Sequence, residues 1–213
     1  MQHTIDPLHY KSIIFDLGGV LLNVDYYKSK AAFEALGIKD FDAHFSQLSQ
    51  SHLFDRFETG KISPAAFRHE LKKESEIDCD DQDLDKAWNA MLLDFPIHRL
   101  QLLEKLSKKL PIYLFSNTNE IHIAQFKNKL SEWGIRERFE AAFTQIYYSF
   151  EFSNRKPDPK SFEILLTENN LNASETLFID DSPQHIEGAK KVGLQTVLLA
   201  STLDITNIFI END

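Results

Sequence analysis

The segment Ile13-Ile14-Phe15-Asp16-Leu17-Gly18-Gly19-Val20 decides how this chain is read. Three apolar residues in a row, without alternation, suit a strand buried on both faces, as in a parallel sheet. A carboxylate and two glycines follow at once, where a strand would give way to a tight loop. Three more runs repeat the apolar pattern: Ile112-Tyr113-Leu114-Phe115, Leu177-Phe178-Ile179 and Val197-Leu198-Leu199. Phe143 to Tyr148 is a weaker fifth.

Helical signals separate the later runs. Ile123, Phe126 and Leu130 share one face. Asp158-Pro159 and Ser182-Pro183 are helix starts, with a cap residue followed by proline at the first helical position. Phe162, Leu165 and Leu166 form the apolar face of the first of these helices, and Ile186, Ala189 and Val192 that of the second, which Gly193 ends. Strand and helix in alternation predict a doubly wound α/β fold with a parallel sheet.

Between the first two runs the pattern changes. From Tyr26 to Phe95 only helical periodicity is visible. Leu84, Ala87, Trp88, Met91 and Leu92 are spaced as one helix face, and Ser63-Pro64 starts a helix after Gly60. The division expected is an α/β core of residues 1–25 and 96–213, with an all-helical cap inserted at 26–95. Phe45, Phe54, Phe57 and Trp88 are read mainly as packing within that insert, with one or two facing a cleft.

Bulk properties narrow the function. Acidic residues outnumber basic ones, 33 to 23, for a formal charge of -10. That balance disfavours nucleic acid or an anionic membrane as partner. It also means that any phosphate site must build its own positive field. One cysteine, Cys79, excludes an intramolecular disulfide and fits a cytoplasmic protein. No run is long enough to span a bilayer, and no signal peptide is visible at Met1 to Tyr10. A monomer or weak homo-oligomer is expected.

Ligands of open α/β sheets bind past the carboxyl ends of the strands. Those positions hold Asp16-Leu17-Gly18, Ser116-Asn117-Thr118-Asn119 and Asp180-Asp181. Lys156 lies between rigid residues in Arg155-Lys156-Pro157-Asp158-Pro159. Carboxylates to attack and to hold Mg²⁺, a hydroxyl and amides to cradle oxygens, and one fixed ammonium are the parts that phosphoryl transfer needs.

In this order and spacing, the four segments resemble the haloacid dehalogenase superfamily. The likeness runs from Lys11 to about Leu199. It is strongest to a subgroup with Asp-x-Gly-x-Val and Ser-Asn-Thr-Asn motifs, which includes sugar-phosphate phosphatases, an α-glucose-1-phosphate phosphatase among them. Glu58-Thr59-Gly60-Lys61-Ile62-Ser63 and Trp88-Asn89-Ala90 extend the match into the insert. The resemblance implies Asp16 as nucleophile and Mg²⁺ ligand, with the Gly18 carbonyl and Asp181 as further ligands and Asp180 beside them. Ser116 and the Asn117 N–H would hold phosphate, and Lys156 would pair with it. A small phosphorylated metabolite would be cleaved through a phospho-aspartyl intermediate.

Two positions depart from the family pattern. The usual acid–base Asp is Gly18 here, a loss on the order of 10²–10⁴ in rate unless it is replaced. Asp25 and His122 match positions in the glucose-1-phosphatase-like sequences and are candidates, although a linker residue and a solvated helix residue are the preferred readings. His185 stands where Asp or Asn is usual. Magnesium prefers oxygen, so a first-turn helix residue touching solvent or a water beside the metal shell is favoured over a ligand. A metal-independent 2-haloacid dehalogenase, a non-catalytic phosphate- or protein-binding module, and a phosphomutase remain as alternatives.

Overall fold

The computed structural model describes residues 4–38 and 52–210. The expected role of Phe45 lies outside them. Among the described residues the sheet has five parallel strands: β1 (Ser12–Phe15), β2 (Ile112–Ser116), β3 (Gln145–Tyr148), β4 (Thr176–Asp180) and β5 (Gln195–Leu198). Their order is β3-β2-β1-β4-β5. The chain builds outward from β1 to β3, then returns to the other side of β1. The reversal between β2 and β4 opens a crevice at the carboxyl end of β1, where such sheets bind ligands.

Strand alternation divides the core into two faces. Ile14, Tyr113, Phe115 and Phe178 pack against Phe162, Leu165, Ile186 and Ala189 of helices α9 (Pro159–Glu168) and α10 (Pro183–Lys191). Ile13, Phe15, Leu114 and Ile179 face the opposite side, with α5 (Ile97–Ser107), α6 (Glu120–Glu132) and α7 (Arg136–Ala142), while the one-turn α8 (Ser149–Phe152) follows β3. The Asp158 carboxylate accepts from the Lys160 N–H, so the aspartate caps α9. The fourth apolar run differs from expectation. β5 is an edge strand reached by neighbours on one side only, and Leu198 is 49% exposed rather than buried.

Between β1 and β2 lie α1 (Tyr26–Ala35), α2 (His52–Glu58), α3 (Pro64–Glu74) and α4 (Asp81–Asn89). An aromatic cluster joins them. Phe57 stacks on Phe67 at 4.3 Å, and Phe54 lies 5.1 Å from Trp88. Ser63 caps α3 by accepting the Ala66 N–H, an interaction worth ~1 kcal/mol. α4 stops at Asn89, so Met91 and Leu92 lie past its end; they are buried all the same. The chain there pairs with the outgoing segment: Asp25 N–H donates to Met91 O, Asn23 N–H to Asp94 O, and Leu93 N–H back to Asn23 O. An isolated antiparallel bridge between Val24 and Leu92 thus joins the two segments that connect these helices to the sheet.

Ile5 pairs with the segment 208–210. Ile5 N–H donates to Ile208 O, and Ile210 N–H to Ile5 O. Asp204 receives Nε of the buried Arg99 at 3.0 Å, while Arg99 Nη1 donates to Leu21 O at 3.1 Å. The tail therefore braces the loop that follows Asp16. Among the described residues, no helix is long and apolar enough to cross a membrane.

Candidate active site

Because β2, β1 and β4 are neighbours, their ends bring Ser116, Asp16 and Asp180-Asp181 together. One carboxylate oxygen from each of Asp16, Asp180 and Asp181 lies within 4.8 Å of the others. Asp16 and Asp180 are buried, and Asp181 is half-buried.

Lys156 enters from the α9 side. Its ammonium donates to Asp16 Oδ1 at 2.5 Å, Asp180 Oδ2 at 2.7 Å and Phe115 O at 2.9 Å. The side chain is fully buried, with Nζ 5.2 Å from the Phe115 ring centre and 5.3 Å from that of Phe178. A lysine has three N–H donors, and all three are used within the protein. Asn117 locks the lysine backbone: its amide donates to Lys156 O at 2.8 Å and accepts the Lys156 N–H at 2.9 Å. Gly188 of α10 lets that segment come close, since a Cβ there would lie 2.2 Å from Pro157 O.

Charge states follow from these contacts. Burial, with Asp180 and Asp181 adding to it, pushes the Asp16 carboxyl up to about 7 against the pull of Lys156. Burial also works against ionised Asp180, but Lys156 and the His185 hydrogen bond outweigh it and hold that carboxyl low. The two carboxylates likewise overcome burial at Lys156 and keep it charged. Three carboxyl groups gather around one ammonium. All the donors are hard oxygens. The set fits a divalent cation such as Mg²⁺.

Gly19 has φ +77°, and a Cβ on it would lie 2.2 Å from Asp181 Oδ2. This glycine lets the loop pass close to the aspartate. At Gly18 a Cβ would meet only Val24 Cγ1, at 3.5 Å, so there is room for a side chain.

The departures from the family pattern resolve individually. Asp25 caps α1, accepting the Tyr27 N–H at 3.0 Å, and is not among the residues lining the cleft. His185, in the first turn of α10, lines the cleft and is turned toward Asp180. Its Nδ1 lies 3.0 Å from both Asp180 oxygens, with the side chain 12% exposed, because the first turn of α10 faces the end of β4. His122 is buried rather than solvated and lines the cleft. Burial pushes it down to about 3.

The cleft over Asp16 holds about 100 Å³ and is lined by Gly18, Ser116, Asn117, Thr118 and Asp181 from the sheet side. Tyr26, Glu58 and Arg155 also line it, and none of the three carries a site role in the sequence motifs. Glu58 lies 3.3 Å from Arg155 Nη2, and burial with the surrounding carboxylates pushes the Tyr26 phenol up. Glu58-Thr59-Gly60 was a visible signal, and Arg155 adjoins Lys156. Tyr26 carried none. Phe54, Phe57 and Trp88 are not on this wall, so their role is packing.

A strand-end carboxylate cluster around a buried lysine, at the switch point of a parallel sheet, fits a hydrolase with a doubly wound α/β fold. Residues 13–199 match the haloacid dehalogenase-like hydrolase family, and the chain belongs to it. It is 28% identical over 193 residues to a D-ribitol-5-phosphate phosphatase from Bacteroides thetaiotaomicron, covering 87% of this chain and 90% of that protein. A HAD-family enzyme from the same organism, solved with magnesium and inorganic phosphate, superposes with TM-score 0.86 at 31% identity. That match covers 95% of this chain and 100% of the other. An L-2-haloacid dehalogenase from Xanthobacter autotrophicus shares the fold alone, at 17% identity and TM-score 0.59, over 89% of this chain and 77% of that one.

Proposed function

We propose that this chain is a Mg²⁺-dependent phosphatase of a small phosphorylated metabolite, with a sugar or polyol phosphate favoured. The observation that carries it is the trio Asp16, Asp180 and Asp181 around the buried Lys156 ammonium. A dehalogenase running without metal has no need for so much clustered negative charge. The magnesium- and phosphate-bound relative and the ribitol-phosphate phosphatase support the same reading.

In this reading Asp16, the Gly18 carbonyl and Asp181 hold Mg²⁺, which when bound offsets the charge of the site and of the phosphate. Asp16 attacks phosphorus, the bond to the leaving oxygen breaks, and water later cleaves the phospho-aspartate. Lys156 holds Asp16 in line, while Asp180 and His185 hold Lys156. Ser116 and the Asn117 N–H receive phosphate oxygens. Residues 26–95 act as a cap over the core of 1–25 and 96–213. The protein works in the cytoplasm as a monomer or weak homo-oligomer.

Proton delivery is the weak step. Gly18 offers no carboxyl, Asp25 is engaged as a cap, and His122 carries no acidic proton near neutrality. Glu58 is tied to Arg155. The leaving oxygen then takes its proton from solvent, and turnover is slow or confined to alcohols that leave readily. Gly18 is also the observation that favours a non-catalytic binding module as the second reading.

A panel of sugar, polyol, nucleotide and aryl phosphates, run with Mg²⁺ and with EDTA, tests both readings. Wild type should release phosphate only with metal, and Asp16→Asn should release none. Wild-type-like activity in Asp16→Asn would sink the mechanism. No hydrolysis by wild type across the panel would favour the binding module.

A further inference from the structure

His122 combines four features that its neighbours explain separately. It sits in the first turn of α6, where its N–H donates to the Asn119 side chain at 3.0 Å. Its ring stacks on the Trp88 indole, with centres 4.5 Å apart and planes 28° apart. Its Nδ1 lies 2.9 Å from Asn89 Oδ1. The ring also lines the cleft beside Asp16, Ser116 and Thr118.

An amide oxygen only accepts, so Nδ1 carries the ring hydrogen and Nε2 keeps a bare lone pair. No described residue donates to that nitrogen, and His122 as a whole is only 8% exposed. Burial disfavours the imidazolium, so the lone pair stays available at neutral pH. The stack and the Asn89 bond come from α4, while the ring itself comes from α6, which fixes the plane of the imidazole from two sides. A rigid, neutral acceptor at the wall of a phosphate-ester cleft is suited to a hydroxyl donor. It is unsuited to protonating an alkoxide.

We propose that His122 Nε2 accepts a hydrogen bond from a hydroxyl of the leaving alcohol, and so selects hydroxylated phosphate esters over plain ones. This rests on the phosphatase reading and adds a specificity residue to it. A site built around a hydroxyl discriminates strongly against partners lacking one, because its own polar group is then left unpaired.

The test compares kcat/KM for the best-cleaved polyol or sugar phosphate with that for phenyl phosphate, in wild type, His122→Phe and His122→Gln. Phe keeps the stacking and loses the acceptor; Gln restores a carbonyl acceptor. The polyol-to-phenyl ratio should fall about 10- to 100-fold in His122→Phe and recover in part in His122→Gln. The loss should grow with each leaving-group hydroxyl present and vanish for an alkyl phosphate with none. An unchanged ratio, or an equal loss on every ester, would overturn the proposal. Phosphate release by wild type on phenyl phosphate keeps the phosphatase reading standing in either case, so the two failures are distinguishable.

Discussion

Replacing Lys156 with methionine keeps most of the side-chain volume and removes the ammonium. The structure sets the size of the effect. Nζ bridges two carboxylates whose side chains are 10% and 0% exposed, at 2.5 and 2.7 Å. Removing one partner of a buried ion pair costs about 3–5 kcal/mol, mostly because the other charge stays buried and unpaired. Two carboxylates are stranded here, but Asp180 keeps its bonds from His185 and the Ser182 N–H, so the lower half of that range applies. A loss of about 3–4 kcal/mol corresponds to a melting point about 6–16 °C lower for a chain of this size. Thermal and urea melts in EDTA read this directly. A double variant separates charge from packing. If stranded charge dominates, Lys156→Met with Asp180→Asn should be more stable than the sum of the two single losses by about 1–3 kcal/mol. Strict additivity, or a single-variant loss under about 1 kcal/mol, would refute the assignment of this lysine as the counter-charge of the site.

Gly18→Asp has room for its side chain and should raise kcat at least about 10-fold on esters with poor leaving groups, by returning an acid–base carboxyl. Steady-state kinetics with alkyl phosphates measure this, and no gain would show that the missing carboxyl is not limiting. Gly19→Ala one position on should abolish activity, because its Cβ would overlap Asp181 and its φ is +77°. Gly188→Ala should push Pro157 away and cost about 1–3 kcal/mol, with loss of activity through the displaced Lys156; melts and kinetics together check it. Asp204→Asn should cost about 2 kcal/mol, or about 4–8 °C, since the carboxylate receives Arg99, His98 and the Thr206 N–H. Its pKa is depressed on folding. The stability it gives is therefore present above its ordinary pKa of ~3.9 and lost as pH falls below that, so wild type and variant should converge in acid.

The sheet and its reactive ends were legible because both are local. Three apolar residues followed by Asp16 signal a buried strand and a strand-end carboxylate within four positions. The Asp158-Pro159 and Ser182-Pro183 starts place Lys156 and His185 just as locally. The cleft wall is another matter. Glu58 and Tyr26 come from helices whose docking over the sheet is set by contacts between Phe54, Phe67, Trp88 and His122, far apart in sequence. No period in the sequence encodes that. The same holds for β5, whose apolar residues look like those of a central strand although it sits at the edge. Met91 and Leu92 continue the helical spacing after the helix has ended, since burial against the cleft requires apolar residues in either conformation.

The contacts of Lys156 bear on how the site meets a phosphate. The lysine's sequence position suggests a cation that pairs with phosphate as well as with Asp16. In the structure its three donors are spent on Asp16, Asp180 and Phe115, and its charge is already shared by two carboxylates. It can orient the nucleophile, but it leaves no surplus charge for an incoming dianion. One ammonium serves a cluster of three carboxyl groups, in a chain with a formal charge of -10. At an effective dielectric of about 20, two like charges 4 Å apart repel by about 4 kcal/mol. A phosphate entering this site meets more than one of them. Productive binding therefore requires a divalent cation in addition to the lysine, and EDTA should weaken phosphate binding itself, not only turnover.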